Sequence, residues 1–159
     1  MENAVTRTCC VLGHREIIET EDLVQRCRGV IEKMIVEENV DTFLFGSKSR
    51  FNSLCYELVT EMKAFYPHIK RVYVRAEFPK IDDNYQTYLL ERYEKTYYPE
   101  KLLGAGKAIY IIRNQEMIRE SDFCMVYFRE DEAPKNRKSG TAQALRYAIG
   151  KNKKIIRFP

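Results

Sequence analysis

Four short segments of the chain carry residue types suited to holding an anion. Gly13-His14-Arg15 joins a flexible backbone corner to an imidazole and a guanidinium. Gly46-Ser47 joins a second glycine to a hydroxyl, with Asn52 five residues beyond the serine. Arg113-Asn114 supplies a cation and an amide. Ser139-Gly140-Thr141 places two hydroxyls around a glycine where an amphipathic stretch begins. At a helix start such a tripeptide offers unpaired backbone N–H groups and the positive end of the helix dipole, and the missing side chain lets a phosphate come close.

Each segment also has a plainer reading. Ser139 or Thr141 serves equally as an ordinary helix N-cap. Gly46-Ser47 has the glycine spacing of neither a dinucleotide fingerprint nor a Walker A loop, so alone it is a turn. His14-Arg15 alone is a solvated pair, and Arg113 has Glu116 and Asp122 nearby in sequence as ion-pair partners. What favours ligand binding is where the elements would put these segments.

The chain alternates short apolar runs with amphipathic stretches. Thr8–Leu12, Thr42–Phe45, Arg71–Val74, Phe123–Phe128 and Lys154–Phe158 read as strands. A helix follows Thr20, with Leu23, Cys27, Ile31 and Met34 recurring at helical spacing. A second spans about Phe51 to Phe65, with Leu54, Leu58, Met62 and Phe65 on one face before Pro67 ends it. Arg113–Glu120 and Gly140–Ile149 complete the set, the last closed by Gly150 as a C-cap glycine. Residues 77–106 form a tyrosine-rich insert containing Tyr85, Tyr88, Tyr93, Tyr97 and Tyr98, helical from about Tyr85 to Tyr93. These tyrosines suit stacking on a base, interior packing or a subunit interface. Tyr110–Ile112 reads as a short strand or a loop.

This alternation predicts an α/β protein: a Rossmann-like three-layer α/β/α arrangement with a mostly parallel sheet, in a single domain spanning 1–159. Ligands of such sheets bind at the carboxyl ends of the strands. That edge is where three of the four segments fall, and Arg15, Lys48, Arg113 and Lys138 are expected to gather there.

Composition sets the outer limits. With 27 Lys and Arg against 23 Asp and Glu, the net charge of +4 is mixed along the chain and weighs against a nucleic-acid partner. No run of about 18 apolar residues is present, so no transmembrane helix is expected. The first 15 residues have no long apolar core, so a cytoplasmic location is expected rather than secretion. The five cysteines, Cys9, Cys10, Cys27, Cys55 and Cys124, show no C-x-x-C spacing, and with two histidines they offer no metal site. Buried free thiols fit them best. No Ser-His-Asp or H-E-x-x-H arrangement occurs, and no cofactor is called for.

Taken in order, strand-G-H-R-E, strand-G-S-x-x-x-F-N, R-N-x-x-M and K-S-G-T-x-x-A-x-x-Y-A resemble the SMF/DprA-LOG (SLOG) superfamily, and within it the small single-domain YpsA-like branch of bacteria and phages. The resemblance covers about Thr8 to Phe158. It implies a Rossmann-like fold that binds nucleotides or nucleotide-derived ligands, in a family that includes phosphoribohydrolases, a DNA-processing protein and sensors of cyclic ADP-ribose-type signals. It puts Arg113 where the family arginine falls and Gly140-Thr141 on the family's Gly-Thr. The catalytic glutamate of the phosphoribohydrolases lands on Ala144, and the preceding Pro-Gly-Gly is missing. An alanine moves no proton, so the resemblance implies binding more than catalysis. Glu77 is another carboxylate near the expected edge, with nothing local to nominate it.

The resulting expectation is a protein of phage defence or counter-defence, acting as a sensor or sequestering partner for a signalling nucleotide and assembled as a homodimer or higher homo-oligomer. Gly13, His14, Arg15, Gly46, Ser47, Asn52, Arg113, Asn114, Ser139, Gly140 and Thr141 would line its site. Two alternatives stand beside it: a nucleoside 5'-monophosphate phosphoribohydrolase or other N-glycosidase, and a single-stranded DNA binder.

Overall fold

The computed structural model describes residues 5–129 and 140–159. Its centre is a sheet of six strands, all parallel: β1 (Arg7–Gly13), β2 (Val40–Phe45), β3 (Lys70–Val74), β4 (Lys95–Tyr97), β5 (Phe123–Tyr127) and β6 (Lys154–Phe158). Among the described residues five α-helices flank it: α1 (Glu21–Glu37), α2 (Arg50–Lys63), α3 (Asp83–Leu90), α4 (Ile109–Arg119) and α5 (Gly140–Gly150). The spatial strand order is β4-β3-β2-β1-β5-β6. The chain therefore winds from β1 to one edge, returns through α4, and continues on the other side from β5. The switch of direction lies between β1 and β5.

Two-sided burial explains the sequence of the central strands. Cys9 and Val11 face one layer with Phe43, Phe45, Met125 and Tyr127, where α1 and α2 add Leu23, Cys27, Ile31, Leu54, Cys55 and Leu58. Cys10 and Leu12 face the other with Leu44, Val72, Val74, Cys124 and Val126, where α4 and α5 add Met117, Ile118, Ala142, Ala144 and Leu145. Alternate residues of one strand thus enter separate cores, which is why the strands are apolar throughout. All five cysteines are free and buried.

The sheet is fully parallel where a mostly parallel one was expected, because the insert adds β4 beside β3 in the same direction. β4 is three residues long and carries the polar sequence Lys-Thr-Tyr, so no apolar run announced it. Tyr110–Ile112 is neither strand nor loop: it forms the first turn of α4, which starts at Ile109 rather than Arg113. α3 runs Asp83–Leu90, capped by the Asp82 side chain, starting two residues and ending three residues ahead of the expected span. α2 ends at Lys63, so Phe65 falls beyond the helix and is 78% exposed instead of joining its apolar face. Gly150 lies within α5. The helix is closed instead by Asn152, at φ 57°, with Lys153 N–H bonded to the Ala148 carbonyl. Asn39, at φ 56°, stands in the same place after α1.

No helix among the described residues is long and apolar enough to cross a membrane.

Candidate functional site

A cavity of about 840 Å³ opens at the carboxyl ends of β1, β2 and β3, under the first turns of α4 and α5. Loop residues after each strand form its walls, and their placement follows from internal constraints.

The loop after β1 is pinned at four points. His14 N–H reaches the Tyr127 carbonyl, 3.3 Å away, and Ile18 N–H reaches the Tyr127 hydroxyl, 3.1 Å away. The Arg15 carbonyl accepts from Arg50 N–H at 2.8 Å, tying the loop to the start of α2. The His14 ring is buried beside Phe128, with centroids 5.2 Å apart, and its Nε2 accepts from Arg129 N–H at 3.1 Å. An imidazole nitrogen that accepts carries no proton. His14 therefore lines the cavity while bracing the exit of β5, and Arg15 is the exposed cation of this corner.

The β2 corner is a hydroxyl and amide relay. Ser49 caps α2, its Oγ accepting from Asn52 N–H at 3.1 Å, and the Ser47 and Ser49 hydroxyls lie 2.9 Å apart. Asn52 is 5% exposed, and its Oδ1 accepts from Gly46 N–H at 3.3 Å. Asn52 does not line the cavity; it holds the strand end that does. Expected as a ligand residue, Asn52 stands behind the cavity wall instead of on it. The amide turns back into the turn because the buried N–H of Gly46 needs an acceptor.

Both corner glycines are required by packing. A Cβ at Gly13 would sit 2.7 Å from the Phe51 side chain, and one at Gly46 would sit 2.9 Å from Met117 Sδ and 3.1 Å from Arg113 Cδ. Gly140 differs: among the described residues a Cβ there would meet only Asn114 Nδ2, at 3.8 Å, and Gly140 lines the cavity.

Arg113 is the central charge. It is 5% exposed on α4, and its Nη1 donates to the Gly46 carbonyl. Its Nε donates to Asn114 Oδ1 at 3.3 Å, which turns the Asn114 amide nitrogen toward Gly140. The guanidinium sits 5.5 Å from the Tyr110 ring centroid. Burial pulls its pKa below the usual arginine range, partly offset by Tyr73, Tyr110 and Glu77. Among the described residues no carboxylate lies within 4 Å of it. Asp122 accepts from Thr8 N–H, and Glu116 pairs with Arg119 and Lys101. Neither candidate partner is used.

Gly13, His14, Arg15, Gly46, Ser47, Arg113, Asn114, Gly140 and Thr141 thus come together around one cavity. Ser139 and Lys138 lie outside the described residues. The strand-end rule located Ser49, Ala76 and Glu77 at this edge without naming them as ligand residues, and sequence reasoning did not place Glu16, Tyr73 or Tyr110 in the site, although all six line it. Tyr73 and Ala76-Glu77 follow from the rule that ligands gather at carboxyl strand ends, applied to β3. Tyr110 was hidden by the reading of its segment as a short strand or a loop. None of the insert's five tyrosines lines the cavity. Tyr93 packs between Tyr73 and Tyr56, with centroids 5.2 Å and 5.0 Å away, and Tyr85 stacks on Tyr88.

The arrangement has donors and positive charge at one end, at Arg113, Asn114 and the start of α5, and a carboxylate at Glu77 on another wall. Among the described residues no cluster of three or more His, Cys, Asp or Glu could hold a metal ion. Fold and cavity together define a Rossmann-like α/β protein with a polar cavity at the carboxyl edge of its sheet, over β1, β2 and β3. No protein-family model matches the chain, and no curated protein matches it at a significant level.

Proposed function

We propose that the protein binds a nucleotide or nucleotide-derived signalling ligand, such as a nucleoside phosphate or a cyclic ADP-ribose-like molecule, with its phosphate held between Arg113 and the first turn of α5. The observation that carries this reading is Arg113 itself. A guanidinium 5% exposed, with no carboxylate within 4 Å among the described residues and only Glu77 acting on it from further off, is a buried charge suited to an anionic ligand. It lines the same cavity as Asn114, Gly140 and Thr141, and the helix start contributes partial positive charge. The resemblance to the SLOG superfamily supports the same class of ligand. A sensing or sequestering role in bacteria or phage, a cytoplasmic location and a homo-oligomeric assembly belong to this proposal.

Hydrolysis of an N-glycosidic bond is the weaker reading. Ala144, where the family glutamate falls, is 2% exposed, packs in the core shared by α4 and α5, does not line the cavity and moves no proton.

Mass spectrometry of small molecules released from the purified protein, followed by calorimetric titration of those found, tests the proposal. A nucleotide bound by wild type and lost in Arg113→Ala supports it. Failure of wild type to bind any of a panel of nucleoside phosphates and cyclic ADP-ribose-like compounds overturns it.

A further inference from the structure

Glu77 is an unexpected residue in a cavity built for an anion. It follows β3, on a different wall from α5, and its carboxylate is positioned by two partners. The Tyr110 hydroxyl donates to Oε1 at 3.2 Å, and Lys48 Nζ lies 3.5 Å from the same oxygen. Oε2 takes part in no hydrogen bond among the described residues. One oxygen is therefore anchored while the other is left as an open acceptor.

A carboxylate repels a phosphate, so Glu77 serves a part of the ligand that is neutral and donates hydrogen bonds. Tyr110 links the two ends. Its ring lies against the Arg113 guanidinium, and its hydroxyl holds Glu77. One side chain thus sets the spacing between the cation that would take the phosphate and the carboxylate that would take the donors. A ligand spanning that gap is negative at one end and carries hydroxyls at the other. Vicinal hydroxyls suit that open oxygen, because its two lone pairs can each accept one of them.

We propose that Glu77, held by Tyr110 and Lys48, is a specificity-determining residue that accepts hydrogen bonds from vicinal ligand hydroxyls, so that the site takes phosphorylated ribose in preference to its 2-deoxy counterpart or bare phosphate. This rests on the anion reading of the cavity given above.

Calorimetric titration of the full chain with inorganic phosphate, ribose 5-phosphate and 2-deoxyribose 5-phosphate separates the two claims. Wild type is expected to bind ribose 5-phosphate at least about tenfold tighter than the 2-deoxy sugar, the equivalent of one hydrogen bond to a charged acceptor. In Glu77→Gln that preference should fall below about threefold, while inorganic phosphate binds more tightly because a repelling charge has gone. Tyr110→Phe, which unanchors the carboxylate without removing it, should reduce the preference in the same direction. Equal affinity of wild type for both sugars, a preference that survives in Glu77→Gln, or weaker phosphate binding in that variant overturns the role of Glu77 alone. Absence of binding by all three probes overturns the anion reading beneath it.

Discussion

Gly46 and Arg113 touch in two ways. The guanidinium donates to the Gly46 carbonyl, and the Arg113 Cδ lies 3.1 Å from where a Cβ at position 46 would stand. The end of β2 and the middle of α4 are thus fitted to each other through a cation and a missing methyl group. Met117 Sδ, at 2.9 Å, and the Val74 carbonyl, at 3.1 Å, close the remaining space. Gly46→Ala should therefore cost about 1–3 kcal/mol of stability, as overpacking of a tight site does. A lowered urea midpoint at unchanged m-value would report it. The same methyl displaces Arg113, so ligand affinity should fall as well.

Arg113→Ala removes the charge without filling the space. Binding of the nucleotide ligand should weaken by about 1.5–3 kcal/mol, the range for a hydrogen bond to a charged group. Titration calorimetry reads this directly. Affinity equal to that of wild type would remove Arg113 from the site.

Thr141 lies in the first turn of α5 and lines the cavity. Thr141→Glu should put a carboxylate where the ligand's negative charge is expected and abolish binding, while circular dichroism and the thermal midpoint stay close to wild type. An acidic residue in a first helical turn is favourable to the helix itself, so lost binding cannot be assigned to a lost helix. Unchanged affinity would sink the phosphate assignment.

Two ion pairs away from the cavity make stability depend on pH. The Arg119 guanidinium, bonded to both Glu116 oxygens at 2.8 and 3.1 Å, holds that carboxyl below the usual range against the opposing effect of burial. Burial pushes the Glu94 carboxyl up, but Arg71, through its backbone N–H and its guanidinium, more than offsets this and leaves it lowered. A folded-state pKa below the unfolded value, about 4.3 for glutamate, gives stability that is complete above that value. It is lost as pH falls through the folded pKa. The urea midpoint of wild type should therefore drop below about pH 4.3, and the drop should be shallower in the double variant Glu94→Gln, Glu116→Gln. Parallel curves for the two proteins would contradict the pairing.

Much of this architecture was legible because the central strands are buried on both faces and hence apolar at every position, as in Phe123–Tyr127. β4 was not, because an edge strand needs only backbone partners on one side and can be as polar as Lys95-Thr96-Tyr97. Tyr110–Ile112 misled for the opposite reason. Ile-Tyr-Ile-Ile is rich in residues that favour strands, but the segment continues into Met117 and Ile118, whose burial against the sheet makes the whole stretch a helix. Within the site, segments that are contiguous in sequence were found, and residues that depend on a turn's internal bonding were not. Asn52 sits beside the right corner yet spends its acceptor on Gly46 N–H. Glu77 sits in a loop with no motif and acquires its place only through Tyr110 and Lys48, 33 and 29 residues away along the chain.

The strand order has a consequence for how the chain is made. β1 lies between β2 and β5, and Cys10 pairs across one edge with Leu44 and across the other with Cys124. Synthesis runs from the N-terminus, so β1 can join β2, β3 and β4 while its second edge is still bare. That edge stays open for pairing until the segment containing β5 has left the ribosome, and only then does the switch point between β1 and β5 exist. The nascent half-sheet is thus the stage most exposed to pairing with another chain. The completed cavity, which needs α4 and α5 as well as the early loops, is among the last features to form.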